Sequence, residues 1–229
     1  MVYLTGDTHG NFFRIMDFCI NQETSLNDTL VILGDAGINY YKNKKDVALK
    51  KLISHLPITL LCVHGNHELR PYEVEGYSEE VYKGGIVWCQ PEYPNIKFAK
   101  DGQVYNLDGK QCLVIGGAYS VDKYYRLEKG YNWFESEQPN DMIKQDVEDA
   151  LKKRFNKIDV ILSHTCPFKY EPIDMFLPSV DQSTVDSSTE KWLDKIEETT
   201  DYKAWYCGHW HIDRHVDKIH FLLNSYENL

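Results

Sequence analysis

Short, uninterrupted apolar runs alternate along the first third of the chain with stretches in which apolar residues recur every three to four positions. Val2–Gly6, Thr29–Gly34 and Ile58–Gly65 are short and rich in β-branched residues, which predicts buried strands, each running out into glycine and a polar residue. Between them, Phe12, Ile15, Met16 and Cys19 share one face of a helix predicted over Phe12–Glu23. Val47, Leu49, Leu52, Ile53 and Leu56 do the same for a helix over Asn43–Leu56. Strand, helix, strand, helix, strand is the pattern of parallel βαβ units. Farther on the period changes: Ile86–Gln90, Ile96–Lys100, Gln103–Leu107 and Gln111–Gly116 read as successive strands, with Asp101-Gly102 and Asp108-Gly109 as hairpin turns. A helix over Asn140–Phe155, capped by Asn140 or Asp141, carries Ile143, Val147, Ala150, Leu151 and Arg154 on one stripe. Strand Asp159–Ser163, helix Thr189–Thr199 and strands Ala204–Gly208 and Ile219–Asn224 follow. The one long irregular stretch, Thr165–Thr189, is of a length that usually carries function or is disordered.

Composition narrows the class without identifying it. With 229 residues, 42% apolar and 26% charged, and no repeat or linker-like tract, the chain is expected to form a single soluble domain over 1–229. Basic residues number 25 and acidic ones 35, a net charge of −10 that disfavours gripping long duplex nucleic acid but leaves room for a small phosphate held by local cations. No apolar run approaches the roughly 20 residues that span a bilayer, so no membrane partner is expected. The six cysteines include no CxxC pair and several sit inside apolar runs, the pattern of buried thiols in a reducing compartment. The N-terminus opens directly on a strand with no leader-like run, and a cytoplasmic location is the expectation.

The chemistry collects at strand ends. Five of the nine histidines stand there beside Asp, Asn and Gly, in Gly6-Asp7-Thr8-His9-Gly10, Gly65-Asn66-His67-Glu68, Ser163-His164 and Gly208-His209-Trp210-His211, while Gly34-Asp35 occupies the same kind of position. Open α/β sheets bind ligands beyond the carboxyl ends of their strands, so the clusters are expected to share one crevice. Asp7 with His9, and His209 with His211, are spaced i, i+2, which on extended backbone sends both side chains to one side. In a chain of this composition DxH arises by chance about 0.7 times, but GHxH roughly 0.02 times and GNHE roughly 0.002 times.

In its run of DxH, GD, GNH plus an acidic residue, a lone His and GHxH, from residue 7 to residue 211, the sequence resembles the calcineurin-like metallophosphoesterase superfamily. The resemblance implies a four-layer α/β/β/α sandwich of two mixed sheets flanked by helices and a dinuclear hydrolase. Carried over by position, Asp7, His9 and His211 would hold one ion, Asn66, His164 and His209 the other, and Asp35 would bridge them. His67 would lie beside the pair as the acid for the leaving group. Asp, Asn and His donors without thiolate suit Mn²⁺, Fe or Zn²⁺ better than the all-oxygen sets of Mg²⁺ or Ca²⁺. The implied reaction is in-line attack on phosphorus by a hydroxide shared between the ions.

The resemblance to the Ser/Thr phosphoprotein phosphatase branch stops at its GDxxDRG motif: here Ile38 and Asn39 stand where that branch has Asp and Arg. Losing that guanidinium removes the usual bidentate grip on a phosphate dianion. A small or nucleotidic phosphate ester is therefore the expected partner, with a phosphoprotein phosphatase, a single-strand nuclease or a non-catalytic interaction protein of the same fold as alternatives. Lys123 and Arg126, in a segment similar to one of bacterial and phage-type members, and Arg70, just past GNHE, are the candidate replacement clamps. The aromatic residues Tyr131, Trp133 and Phe134 follow, either to stack on a base or simply to pack.

Overall fold

The three N-terminal strands are buried at every position, so both of their faces are covered. In the computed structural model, which describes residues 1–229, β1 (Val2–Thr5), β2 (Thr29–Ile32) and β3 (Thr59–Cys62) run parallel, with Val2 beside Thr29 and Thr29 beside Thr59. Alternate side chains enter different cores. Val2, Leu4, Val31 and Leu61 point into the space between two sheets, whereas Tyr3, Leu30, Ile32 and Leu60 pack with Ile15, Phe18 and Cys19 of α1 (Phe13–Asn21) and Ile53 of α2 (Lys44–Ile53).

The first sheet is completed by β4 (Ser78–Tyr82), β5 (Gly85–Cys89), β6 (Ile96–Ala99) and the C-terminal β13 (Glu227–Asn228), in the order β13-β1-β2-β3-β6-β5-β4. The second comprises β7 (Val104–Leu107), β8 (Lys110–Ile115), β9 (Val160–Ser163), β10 (Ala204–Cys207), β11 (Arg214–Val216) and β12 (Ile219–Phe221), in the order β11-β12-β10-β9-β8-β7. Each sheet has a parallel centre and antiparallel edges. The outer face of the second sheet is covered by α4 (Asp141–Lys152) and α5 (Ser188–Thr199), whose Val147, Leu151, Leu193 and Ile196 meet Leu113, Ile161 and Trp205. A short fifth helix, α3 (Lys123–Lys129), follows β8. The result is the four-layer α/β/β/α sandwich with two mixed sheets.

Several expectations are corrected. Asp101-Gly102 is not a hairpin turn: β6 belongs to one sheet and β7 to the other, and the turn carries the chain between them. Asp101 is buried there, accepting from Arg70 Nη1 and the Gly116 N–H, both at 2.5 Å. Asp108-Gly109 does close a two-residue hairpin, Leu107 opposite Lys110, with positive φ at both positions. On α2 the buried face is Asp46, Lys50 and Ile53, while Val47 and Leu52 face outward. Asp46 turns inward because it accepts the Tyr41 and Lys42 N–H groups at 2.9 and 2.7 Å, and Lys50 because its ammonium reaches Gln90 at 2.9 Å. β4, α3, β11 and β13 have no counterpart in the expected elements: β4 is almost wholly exposed and α3 lacks an apolar stripe, so neither carries the burial signal. All six cysteines are buried and unpaired, and no helix is long and apolar enough to cross a membrane.

Candidate metal centre

The loops that leave β1, β2, β3, β9 and β10 meet at the carboxyl ends of the two parallel centres. They are laced by their own backbone: Thr8 and His9 N–H both donate to Asp35 O at 3.2 and 2.8 Å, Gly10 N–H to Ala36 O at 2.9 Å, and Gly208 N–H to His164 O at 3.0 Å. Arg14 of α1 fastens the first loop by donating to Gly6 O and Asp7 O at 2.9 and 3.0 Å. The i, i+2 pairs do not stand on extended strand, as the spacing suggested. His9, Asp35, His209 and His211 all have positive φ (47°, 46°, 65° and 53°), beyond the last strand residues. Four left-handed non-glycine residues in one centre concentrate backbone strain there.

The packing explains why glycine precedes two of these residues. A Cβ on Gly34 would stand 2.0 Å from His164 Nδ1, and one on Gly208 2.3 Å from Asp7 Oδ1.

The donor atoms face one another at close range. His9 Nε2 and His211 Nε2 are 3.0 Å apart, His211 Nε2 is 3.2 Å from Asp7 Oδ2, and His9 Nε2 is 3.7 Å from the same oxygen. Asp7 Oδ2 is buried with no hydrogen-bond partner, while Oδ1 accepts the His209 N–H at 3.0 Å. Deeper in, His164 Nδ1 lies 2.8 Å from the Leu33 carbonyl, which accepts only from a protonated nitrogen. His164 Nε2 stands 2.8 Å from Asn66 Oδ1, which also has His209 Nδ1 at 3.1 Å. All three atoms are of types that bind a divalent ion. Asn66 is oriented for this by donating from Nδ2 to Ser120 Oγ at 2.8 Å, a partner no motif singled out. Asp35 lies between the groups: Oδ1 is 3.7 Å from His164 Nε2 and accepts the His67 N–H at 2.7 Å, and Oδ2 is 3.9 Å from His9 Nδ1.

Electrostatics follow from this crowding. Burial raises the Asp7 carboxyl, but contact with His211 and the nearby His164 and His9 more than reverse it, leaving it well below the ordinary range. The same contact raises His211, and burial followed by the charge of His164 pushes His209 down to about 3. Glu68 is no solvated turn residue. Its buried carboxylate accepts from Gly37 and Gly65 N–H at 3.1 and 3.3 Å, tying the loop after β2 to the turn after β3, and burial with Asp35 nearby pushes it up to about 8.

Of the three candidate clamps, only Arg126 comes to the centre. Its Nη2 contacts His67 Nδ1 and lies 2.7 Å from Nε2; Nε donates to Asp122 at 2.7 Å and Nη1 to the Asn132 carbonyl at 3.2 Å. Lys123 instead lies 4.0 Å over the Trp133 ring, and Trp133 donates to Glu137 at 2.8 Å. Arg70 is buried on Asp101 and the Ser136 carbonyl. Burial, and next the guanidinium of Arg126, push His67 down to about 3. From His67, Asp35 and His209 a cavity of about 700 Å³ extends under the stretch 165–189, which coils through the short turns Phe168–Tyr170, Ile173–Met175 and Gln182–Thr184.

A solved structure shares this architecture: TT1561 of Thermus thermophilus superposes with a TM-score of 0.50 at 11% identity, over 91% of this chain and 80% of its own. The phosphopantetheinyl hydrolase PptH of Mycobacterium tuberculosis aligns with a TM-score of 0.46 at 13% identity, over 97% of this chain and 87% of its own. Comparison with curated sequences returns no match. The sequence model of the calcineurin-like phosphoesterase family matches residues 1–213, nearly the whole chain, and the chain belongs to that family of phosphoesterases.

Proposed function

We propose that the chain hydrolyses a small phosphate ester with a pair of divalent ions, Mn²⁺ in preference to Fe or Zn²⁺. Asp7, His9 and His211 would hold one, Asn66, His164 and His209 the other, and Asp35 both. The observation that carries this reading is the convergence of donor atoms: a buried Asp7 Oδ2 with no hydrogen-bond partner, and His164 Nε2 and His209 Nδ1 both within 3.1 Å of Asn66 Oδ1. Two carboxylates, one amide and four imidazoles with no thiolate match the borderline ions. Bound there, such ions lower the pKa of water toward about 7 and neutralise charge on the phosphoryl oxygens.

The chain's own part centres on His67 and Arg126. Arg126, held by Asp122 and the Asn132 carbonyl, offers a fixed guanidinium to a phosphoryl oxygen, a role taken from a different segment than the missing GDxxDRG arginine. Without substrate His67 is neutral. A phosphate dianion between it and Arg126 favours the imidazolium, which then gives its proton to the leaving oxygen.

Metal-stripped protein reloaded with Mn²⁺ tests the reading. The expected result is two equivalents bound and hydrolysis of p-nitrophenyl phosphate or its bis ester. His67→Ala is expected to cost about 10²–10⁴ in rate with an alkyl leaving group and much less with nitrophenolate. No bound metal and no turnover would overturn the proposal, and activity confined to a phosphopeptide would return it to a protein phosphatase.

A further inference from the structure

The cavity beside the centre differs sharply in character from the centre itself. Its far wall comes from the stretch 165–189 and the loop after β10: Phe168, Met175, Phe176, Leu177, Val180 and Trp210, with Phe176 stacked on Trp210 at 5.8 Å between centroids and 16° between planes. Histidines aside, the one basic residue lining it is Lys191, whose ammonium lies 5.2 Å over the Phe168 ring. Against that single cation stand Glu171 and Glu190 on the wall, while Asp122 at the mouth is already paired with Arg126. A second phosphate or a diphosphate chain entering there would meet carboxyl groups and desolvating apolar surface, with no guanidinium to compensate. An apolar group would exchange water for six apolar side chains. At about 700 Å³ the space lies within the roughly 300–1,000 Å³ of small-molecule sites.

We propose that this cavity receives the leaving group, and that the substrate is the phosphate ester of an uncharged alcohol that is largely apolar or aromatic. The assignment rests on the phosphoesterase reading and narrows it: nucleoside di- and triphosphates and polyanions are excluded by the wall, whereas an uncharged alcohol with a hydrogen-bond donor for Glu171 or Glu190 is accommodated. It also gives the stretch 165–189 its role, as the specificity-determining wall of the site.

A homologous series of alkyl phosphates, ethyl to octyl, holds leaving-group chemistry nearly constant while apolar area grows. With the Mn²⁺-loaded enzyme kcat/KM is expected to rise about two- to fourfold per added methylene over the first several carbons. Phe176→Ala and Leu177→Ser are expected to flatten that rise. A binding readout independent of turnover uses the uncharged fluorophore N-phenyl-1-naphthylamine with metal-free protein. Its emission should increase on binding and be reversed by 1-octanol but not by glycerol or ADP, with Leu177→Asp abolishing the response. A flat alkyl series in an enzyme that still turns over p-nitrophenyl phosphate, or ATP hydrolysed as fast as octyl phosphate, overturns the assignment and leaves the phosphoesterase reading intact. Fluorophore binding reversed by octanol in a protein that hydrolyses no ester would overturn the phosphoesterase reading while supporting an apolar ligand for the cavity.

Discussion

Asn66 shows how a single residue is made into a candidate ligand. An amide oxygen is a weak donor to a metal and rotates freely, yet here its Nδ2 is spent on Ser120 and its oxygen is aimed at two imidazoles. His67 is governed in the same way by a neighbour 59 positions away. The positive charge of Arg126 disfavours a second positive charge on the ring, so removing it must raise the pKa of His67, while burial, the larger cause, continues to hold it down. In metal-free protein, Arg126→Met is accordingly expected to move the His67 titration up from about 3 without reaching the ordinary 6.5, as followed by the ring Cε1–H resonance. An unchanged midpoint would show that Arg126 does not govern that ring.

At the scale of elements, the site is a property of strand ends. Parallel strands release their chains in the same direction, so the loops after β1, β2 and β3 emerge side by side, and β9 and β10 do the same in the facing sheet. Their left-handed turns are tolerated because backbone hydrogen bonds between the loops hold them. Two glycines separate steric from conformational cost. Gly34 and Gly109 both have positive φ, 95° and 81°, but an added Cβ meets His164 Nδ1 at 2.0 Å in the first case and nothing within 4 Å in the second. Gly109→Ala should cost about 1 kcal/mol in urea unfolding and Gly34→Ala several times that, with loss of metal binding. Equal costs would remove the packing explanation.

For the whole molecule, burial of ionisable groups ties stability to pH in both directions. His64 is 2% exposed with both ring nitrogens unpartnered, and burial holds its pKa well below 6.5. The unfolded chain binds a proton there below about 6.5 and the folded chain does not, so this residue makes stability fall as pH falls. Glu68, at about 8, works the other way: folded, it keeps a proton that an unfolded carboxyl releases above about 4.5, so stability falls as pH rises toward 8. The two oppose one another between about 4.5 and 6.5, and a substitution is needed to separate them. Metal-free His64→Met is expected to gain about 2 kcal/mol on the unsubstituted protein between pH 8 and pH 5, from urea midpoints at each pH. A difference that does not vary with pH would mean that His64 is hydrated or protonated in the fold.

What the sequence by itself determined is mostly local: parallel strands written as largely apolar runs, a cap at Asn140 or Asp141 that the structure places on Asn140, the Asp108-Gly109 turn, and donor types at strand ends, whose order along the chain carries the family resemblance. The strands, the cap, the turn and each donor motif depend on residues within a few positions of one another; the resemblance adds only their order. Only the tertiary structure decided that Asp101 crosses between sheets, that α2 buries Asp46 and Lys50 in place of Val47 and Leu52, and that Arg126 reaches His67 while Arg70 and Lys123 are spent elsewhere. A charged side chain has the same local pattern in all these places. Whether it meets a carboxylate, an aromatic ring or an imidazole depends on which distant segment the packing of two sheets brings against it.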